Sequence, residues 1–203
     1  HIYPKDVSTE GITQITLEDV AYAASCGSVI KLIGRARWNG EGRKITAMVS
    51  PAFIHRESQL ANVDDVFNGI LVRGDATGDV VFYGKGAGKL PTASAVVGDI
   101  IECAKAPGTS PSLQWKPSEG GNVADPGENV TAMYLRCRSE TVKLPEALKK
   151  LFGEVQELRR EGQPADEFAC IVSARPEQEI NTSITKLAAM DVELLGKVRV
   201  LDY

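Results

Sequence analysis

The sequence has few of the residues that build metal sites. It contains two histidines and four cysteines in 203 residues, and the cysteines (Cys26, Cys103, Cys137 and Cys170) form no C-x-x-C pair. Structural zinc sites combine closely spaced Cys and His ligands, so we expect no metal site. Widely spaced single cysteines are instead typical of a reducing compartment, where they pack as small apolar side chains.

The sequence also lacks a basic excess and long apolar segments. Asp and Glu number 27 against 23 Lys and Arg, which gives a formal net charge of -4. Binding to a nucleic acid backbone requires a basic surface, so we expect no nucleic acid partner. No apolar run approaches the roughly 18 residues of a membrane-spanning helix. The first residues do not resemble a signal peptide. We therefore expect no membrane association and a cytoplasmic location.

Prolines, glycines and serines are concentrated in one segment, residues 106–127, which has no hydrophobic periodicity. Such a composition indicates a linker. We therefore predict two domains, 1–105 and 128–203, each long enough to bury a core.

Strand and helix patterns alternate in the first domain. Thr16 followed by Asp19 resembles a capping box and predicts a helix start. The spacing of apolar residues predicts helices at 17–25 and 91–104, and strands at 29–38, 44–54, 67–73 and 80–83. This pattern predicts an α/β or α+β fold with a mixed sheet and helices on one face.

The second domain shows strands at 130–138, 168–174 and 197–201, with helices at 144–160 and 176–190. Residues 155–160 fit either a second strand or the end of the first helix, and the sequence does not decide between them. With that second strand, the order resembles the βαββαβ order of an ACT-type regulatory domain.

Three alternating glycines, Gly84, Gly86 and Gly88, lie between a predicted strand and a helix that begins at Pro91-Thr92. Glycines let a ligand approach the main chain, and a helix start offers unpaired N–H groups. The P-loop pattern fails because Leu90 follows Lys89. The G-x-G-x-x-G fingerprint fails because Lys89 replaces its third glycine. A glycine-rich turn without a ligand remains the alternative.

A family resemblance follows from the ordered motifs around this segment. Residues 83–100 read YGKGAGKLPTASAVVGDI, and residues 10–19 read EGITQITLED. Further matches are GSVIKL at 27–32, VSP at 49–51, LANV at 60–63 and FNGI at 67–70. In order and spacing, these motifs resemble those of homoserine dehydrogenases over about the first 105 residues. The ACT-like tail resembles that family more loosely.

The resemblance implies an oxidoreductase that interconverts L-aspartate 4-semialdehyde and L-homoserine in threonine and methionine biosynthesis. Its cofactor would be NADP or NAD, which Gly84, Gly86, Ala87, Gly88 and Thr92 would line. A homodimer is expected, with a possible amino-acid effector at the ACT-like domain. Glu10 would either shape the substrate domain or lie on the surface as an ordinary acid.

The sequence departs from the family in ways that bear on activity. The family's nucleotide-binding domain and its G-x-D-x-x-x-K segment, with the proton-transferring lysine, have no match here. We therefore expect no catalytic residue in this chain and no turnover by the chain alone. Glu146 replaces a glycine at the ACT loop, which argues against threonine feedback. The alternative is a stand-alone amino-acid-binding regulatory protein with an ACT-like domain.

Overall fold

The structure is a computed structural model that describes residues 1–38, 40, 44–106, 108 and 117–202. The chain divides into two compact units. The first unit consists of His1–Arg56 and Ser118–Tyr203, and the second unit is Glu57–Pro117. The elements in chain order are β1 (Ser8–Thr9), α1 (Leu17–Ser25), β2 (Ser28–Trp38), β3 (Ile45–His55), β4 (Phe67–Gly74), β5 (Gly78–Lys85), α2 (Lys89–Lys105), β6 (Val130–Arg138), α3 (Leu144–Phe152), β7 (Val155–Leu158), β8 (Glu167–Pro176), α4 (Glu177–Ala188) and β9 (Glu193–Leu201).

The first unit is built on one seven-stranded mixed sheet. Its strand order is β1-β3-β9-β6-β8-β7, and β2 pairs with β3 along its whole length. The pairs β1–β3 and β3–β9 are parallel, whereas the remaining pairs are antiparallel. The predicted mixed sheet and α/β class are therefore confirmed.

Helices cover both faces of this sheet rather than one. Side chains alternate along a strand, so Met133 and Leu135 of β6 face one core and Tyr134 faces the other. The first core contains the buried faces of α3 and α4. The second core contains Tyr22 of α1 and Phe53 of β3. The prediction of helices on one face concerned residues 1–105 alone; in the structure their main strands share a sheet with the C-terminal segment, and α1 packs on the face opposite α3 and α4.

The C-terminal segment forms a module in which β6, α3, β7, β8, α4 and β9 follow one another. Its four strands lie in the order β9-β6-β8-β7. The helix predicted at 144–160 ends at Phe152, because Gly153 takes a positive φ of 74°. Residues 155–158 then pair antiparallel with β8. The structure thus decides the open alternative in favour of a second strand.

The two units differ from the division predicted at residue 105. Residues 1–56 share a sheet with the C-terminal module, because Ala52, Phe53 and Ile54 pair in parallel with β9. Part of the predicted linker is hydrogen-bonded to this sheet, since the Ile45 amide of β3 donates to the Asn122 carbonyl at 2.8 Å. Residues 107 and 109–116 of that linker lie outside the described residues.

The second unit contains the hairpin β4–β5 and the helix α2. The strands pair antiparallel from Phe67 with Lys85 to Gly74 with Gly78. One face of the hairpin is apolar but exposed, and it carries Ile70, Val72, Val80 and Phe82. No residue of α2 is buried. This unit therefore leaves much of its apolar surface open to solvent.

Neither a membrane-spanning helix nor a metal cluster occurs among the residues that the structure describes. No helix there is long and apolar enough to cross a bilayer. No group of three or more His, Cys, Asp or Glu is placed to hold a metal ion in the same residues. The four cysteines are free, and Cys137 and Cys170 are buried whereas Cys103 is exposed.

Candidate functional site

The glycine-rich segment joins β5 to α2 and is exposed along its whole length. β5 ends at Lys85 and α2 begins at Lys89, so Gly86, Ala87 and Gly88 form a short connection. Every residue from 82 to 90 is exposed, and so is Thr92. The segment is therefore accessible to a ligand and is not sealed inside a core.

The three glycines differ in how a side chain at each position would fit the structure. A Cβ at Gly86 would overlap Asn68 Nδ2 and lie 2.8 Å from Asn68 Cγ, so the Asn68 side chain fills that space. Gly88 has a φ of 119°, which side chains with a Cβ rarely adopt. A Cβ at Gly84 would meet no atom within 4 Å. Gly84 thus exposes main chain that no described residue covers.

The helix start lies earlier than predicted. Gly88 is the N-cap and α2 begins at Lys89, which puts Pro91 at the third helical position and Thr92 at the fourth. The Thr92 amide already donates to the Gly88 carbonyl at 3.2 Å. The helix therefore presents the N–H groups of Lys89 and Leu90 at its start, because they precede the first paired amide and Pro91 has none. The predicted helix start at Pro91-Thr92 was wrong by two residues.

Lys85, at the end of β5, lies over an aromatic ring of the hairpin. Lys85 Nζ lies 5.7 Å from the ring centre of Phe67, a distance typical of a cation–π contact. Phe67 in turn stacks on Tyr83 at 4.9 Å between ring centres. Lys85 is therefore held over the hairpin by an aromatic ring.

The other end of the hairpin is closed by an ion pair. Arg73 donates from Nε and Nη2 to the two carboxylate oxygens of Asp79 at 2.6 and 2.8 Å. These hydrogen bonds lower the pKa of Asp79 from its ordinary value. The pair joins residues that face each other across the hairpin, far along the strands from the glycines.

A second candidate site is a cleft of about 1050 Å³ in the first unit, between residues 139–146 and 157–168. The Ser139 hydroxyl orders the first loop, because it accepts from the Val142 amide and donates to the Asp191 carbonyl, both at 3.0 Å. Each cation in the cleft has a carboxylate partner: Lys143 with Glu146 at 3.4 Å, Arg159 with Glu157 at 2.6 Å and Arg160 with Glu167 at 2.9 Å.

One buried ion cluster of the first unit was missed by the sequence reasoning. Arg136 lies between Asp19 at 3.0 Å and Glu167 at 3.5 Å, and all three residues are buried. Tyr134 donates to Asp19 at 3.0 Å and Tyr22 donates to Glu167 at 2.8 Å. Burial and these carboxylates raise the pKa of both tyrosines. The sequence signal for this cluster was Arg136, a charged residue among the apolar residues of β6.

The predicted capping box is present at the start of α1, and its Asp19 also belongs to that cluster. The Thr16 amide donates to Asp19 Oδ2 at 3.0 Å, as a capping box requires. The Thr16 hydroxyl donates to the same oxygen at 3.2 Å and accepts from Arg136 Nη2 at 3.0 Å. The helix boundary and the capping box were predicted correctly, whereas the contact between Arg136 and the Thr16 hydroxyl was not predicted.

Glu10 proves to be neither free nor merely a surface acid. It is paired through both carboxylate oxygens with Arg199 of β9, at 2.7 and 2.8 Å. Arg199 also pairs with the buried Glu177 at the start of α4. No local pattern pointed to this contact, because the partners lie 189 residues apart.

Comparison with known proteins agrees with the motifs. The sequence profile of the family described as homoserine dehydrogenase matches residues 1–101. A homoserine dehydrogenase of Synechocystis is 46% identical over 99 residues, which are 48% of this chain and 23% of that protein. A homoserine dehydrogenase of Neisseria gonorrhoeae is 32% identical over 197 residues, covering 90% of this chain and 45% of that protein.

Solved structures extend the similarity to the whole chain. The crystal structure of a homoserine dehydrogenase from Thiobacillus denitrificans superimposes with a TM-score of 0.74 at 32% identity, over 98% of this chain and 48% of that one. A homoserine dehydrogenase of S. aureus gives a TM-score of 0.75 at 29% identity, over 100% and 49% of the two chains. The chain spans about half the length of these relatives. The chain is therefore homologous to the homoserine dehydrogenases and corresponds to about half of such an enzyme.

Proposed function

We propose that the chain is part of an oxidoreductase that interconverts L-aspartate 4-semialdehyde and L-homoserine with NADP or NAD, in threonine and methionine biosynthesis. The observation that carries this proposal is the exposed glycine-rich segment inside the region that matches the family profile. The same relationship supports a cytoplasmic location. It also supports a homodimer, and exposed apolar side chains of the second unit are typical of an interaction surface.

The residues proposed to face the cofactor are Gly84, Gly86, Ala87, Gly88 and Thr92. Gly84 fits this role best, because bare main chain with open space above it can be approached by a flat ring. The N–H groups at the start of α2 favour a polar or anionic neighbour. Gly86 supports the segment differently, because its missing Cβ makes room for Asn68.

The cofactor and the protein would have different roles in the proposed reaction. A nicotinamide cofactor supplies the hydride, and the protein binds and orients it. Among the 203 residues we assign no proton donor or acceptor, since the family's G-x-D-x-x-x-K segment has no match. Proton transfer by such a group is typically worth about 10²–10⁴-fold in rate. We therefore propose that the chain alone does not turn over substrate, and a steady NADPH-dependent reduction of aspartate semialdehyde by the purified chain would contradict this.

Gly84→Ala provides the sharpest test of the cofactor face. The methyl group would meet no atom within 4 Å among the residues that the structure describes, so we expect the substitution to leave folding unchanged. In the polypeptide extended by its upstream reading frame, we expect KM for the cofactor to rise at least about tenfold, because the methyl occupies the ligand's space. Gly98→Ala is the matched control, since Gly98 lies in α2 and its Cβ would also meet nothing within 4 Å.

The result separates a binding surface from a structural turn. Unchanged kinetics of Gly84→Ala, with an unchanged melting temperature, would show that the cofactor does not lie against this segment. A rise in KM for Gly98→Ala of the same size would assign the effect to the helix and not to the glycine-rich connection.

The second candidate function is an amino-acid-binding regulatory protein with an ACT-like domain. The βαββαβ order of the C-terminal module and its cleft favour this possibility. The paired cations of the cleft make it weaker, because a ligand carboxylate would have to displace an existing partner. Calorimetry of the purified chain with threonine distinguishes the two functions. Binding heat that is lost in Ser139→Ala would support the regulatory function. No binding heat would favour the enzyme assignment.

A further inference from the structure

Arg199 is the centre of a second buried ion cluster in the first unit. It lies on β9 and is 4% exposed. Its Nη1 and Nη2 atoms donate to the two oxygens of Glu10 at 2.7 and 2.8 Å. Its Nε and Nη2 atoms donate to the two oxygens of Glu177 at 2.8 and 2.7 Å. One guanidinium therefore makes a paired contact with each of two carboxylates.

Both acidic residues are also held by further hydrogen bonds, Glu10 through its main chain and Glu177 through its side chain and main chain. The Glu10 amide donates to the Val49 carbonyl of β3 at 2.8 Å, directly after the short strand β1. Glu177 Oε1 accepts from Asn129 Nδ2 at 2.6 Å, and the Glu177 amide donates to the Asn129 carbonyl at 3.0 Å. The result is one continuous chain of contacts from the start of α4 to the N-terminal segment.

The geometry of the arginine side chain allows Arg199 to link its two carboxylate partners. A planar guanidinium can serve two carboxylates at once, which a lysine ammonium cannot do with the same geometry. A buried charge that loses one partner must move toward water or toward another partner. A change at Glu177 therefore alters the position of Arg199, and with it the support of Glu10.

We propose that Arg199 is a positioning residue that couples the C-terminal module to the segment ending at Glu10. The state of the first turn of α4 is transmitted through the guanidinium to the backbone at Thr9 and Glu10. Any consequence of this coupling for catalysis rests on the proposed function. The coupling itself is a property of this chain and needs no substrate or cofactor.

The test is native-state hydrogen exchange on the purified chain, read at the Glu10 amide. Glu177→Gln does not touch the N-terminal segment, yet it is expected to accelerate exchange of the Glu10 amide at least about tenfold, because it weakens a charged hydrogen bond of Arg199. Glu179→Gln is the matched control, since it removes the same charge from an exposed position of the same helix. It should leave Glu10 unchanged.

Two further variants and a reference amide complete the design. Asn129→Ala removes the hydrogen bond from Asn129 Nδ2 to Glu177, and it answers the question if Glu177→Gln does not fold. Arg199→Lys keeps the charge and should accelerate exchange at Glu10 as well, because lysine cannot hold both carboxylates. The Leu135 amide of the central strand β6 reports whole-module opening.

The proposal is overturned if the Glu10 amide exchanges at the wild-type rate or more slowly in a folded Glu177→Gln or Asn129→Ala variant. It is also overturned if Leu135 accelerates by the same factor, because the cluster would then be merely stabilising. Wild-type exchange in Arg199→Lys would show that the paired geometry is unnecessary. None of these results depends on dehydrogenase activity, so they leave the proposed function to be judged by its own assay.

Discussion

The two units of this chain differ in the burial of their apolar and charged residues. In the first unit Tyr22, Phe53 and Leu148 are completely buried, and charged residues such as Asp19 and Arg136 are buried with them. In the second unit the helix α2 has no buried residue, and Leu90 is 83% exposed. A chain segment that leaves this much apolar surface open is typical of an interaction site. The first unit is therefore expected to carry most of the stability that the chain itself supplies.

The largest contrast is expected between two arginine–carboxylate contacts. Arg136→Ala leaves Asp19 buried without this cation, while Glu167 keeps its contact with Arg160, so we expect a loss of about 3–5 kcal/mol in the free energy of unfolding. Arg73→Ala in the second unit removes an exposed pair with Asp79 and should cost at most about 1 kcal/mol. Urea unfolding followed by far-UV circular dichroism measures both. Equal losses would mean that burial does not distinguish the two units.

The same substitution in two helices gives the next largest difference. Leu148→Ala in α3 opens a cavity at a fully buried position, and we expect a loss of about 3 kcal/mol. Leu90→Ala in α2 changes an exposed position and should cost less than about 0.5 kcal/mol. Thermal unfolding of the two variants beside the wild type provides the measurement. A similar fall in melting temperature for Leu90→Ala would show that α2 is covered in solution.

Cysteine labelling compares the units without any mutation. Burial raises the pKa of Cys137 and of Cys170 to about 12, so almost no thiolate is present at neutral pH. Cys103 on α2 is exposed. With iodoacetamide and mass spectrometry, we expect Cys103 to react at least about a hundredfold faster than either buried thiol. Slow labelling of Cys103 in the native protein that becomes fast in urea would indicate that something covers this helix.

The smallest effect on the free energy of unfolding is expected from Glu10→Gln in the first unit. Hydrogen bonds from Arg199 lower the pKa of Glu10, and Lys197 acts in the same direction. A lowered pKa contributes stability at neutral pH that is lost as the pH falls through the lowered value. Glu10→Gln should therefore destabilise by at most about 1 kcal/mol at neutral pH, because Glu10 is partly exposed.

The pH dependence checks the sign of that effect. The difference between wild type and Glu10→Gln should shrink as the pH falls from about 5 towards about 2, since protonated Glu10 also lacks the charge. Urea midpoints measured across this range, with Glu179→Gln at an exposed position of α4 as the control, provide the comparison. A difference that grows on acidification would contradict the assigned pKa direction.

Local patterns predicted the elements well where one physical signal dominated. The helix at Leu17–Ser25 and the strand at Val130–Arg138 have the predicted bounds, and a capping residue marks the start of the helix. The helix predicted at 144–160 was too long, since the apolar spacing continues beyond Gly153 into β7. A positive φ at one glycine outweighed the periodicity.

The sequence by itself determined the elements and the exposed glycine-rich connection, together with the relationship to the homoserine dehydrogenases. These depend on neighbouring residues and on short motifs, whose geometry is settled within a turn or a strand. Only the tertiary structure decided that β3 pairs with β9 and that Glu10 meets Arg199. These contacts join residues 147 and 189 positions apart, and they form because buried backbone groups need hydrogen-bond partners and a buried arginine needs carboxylates.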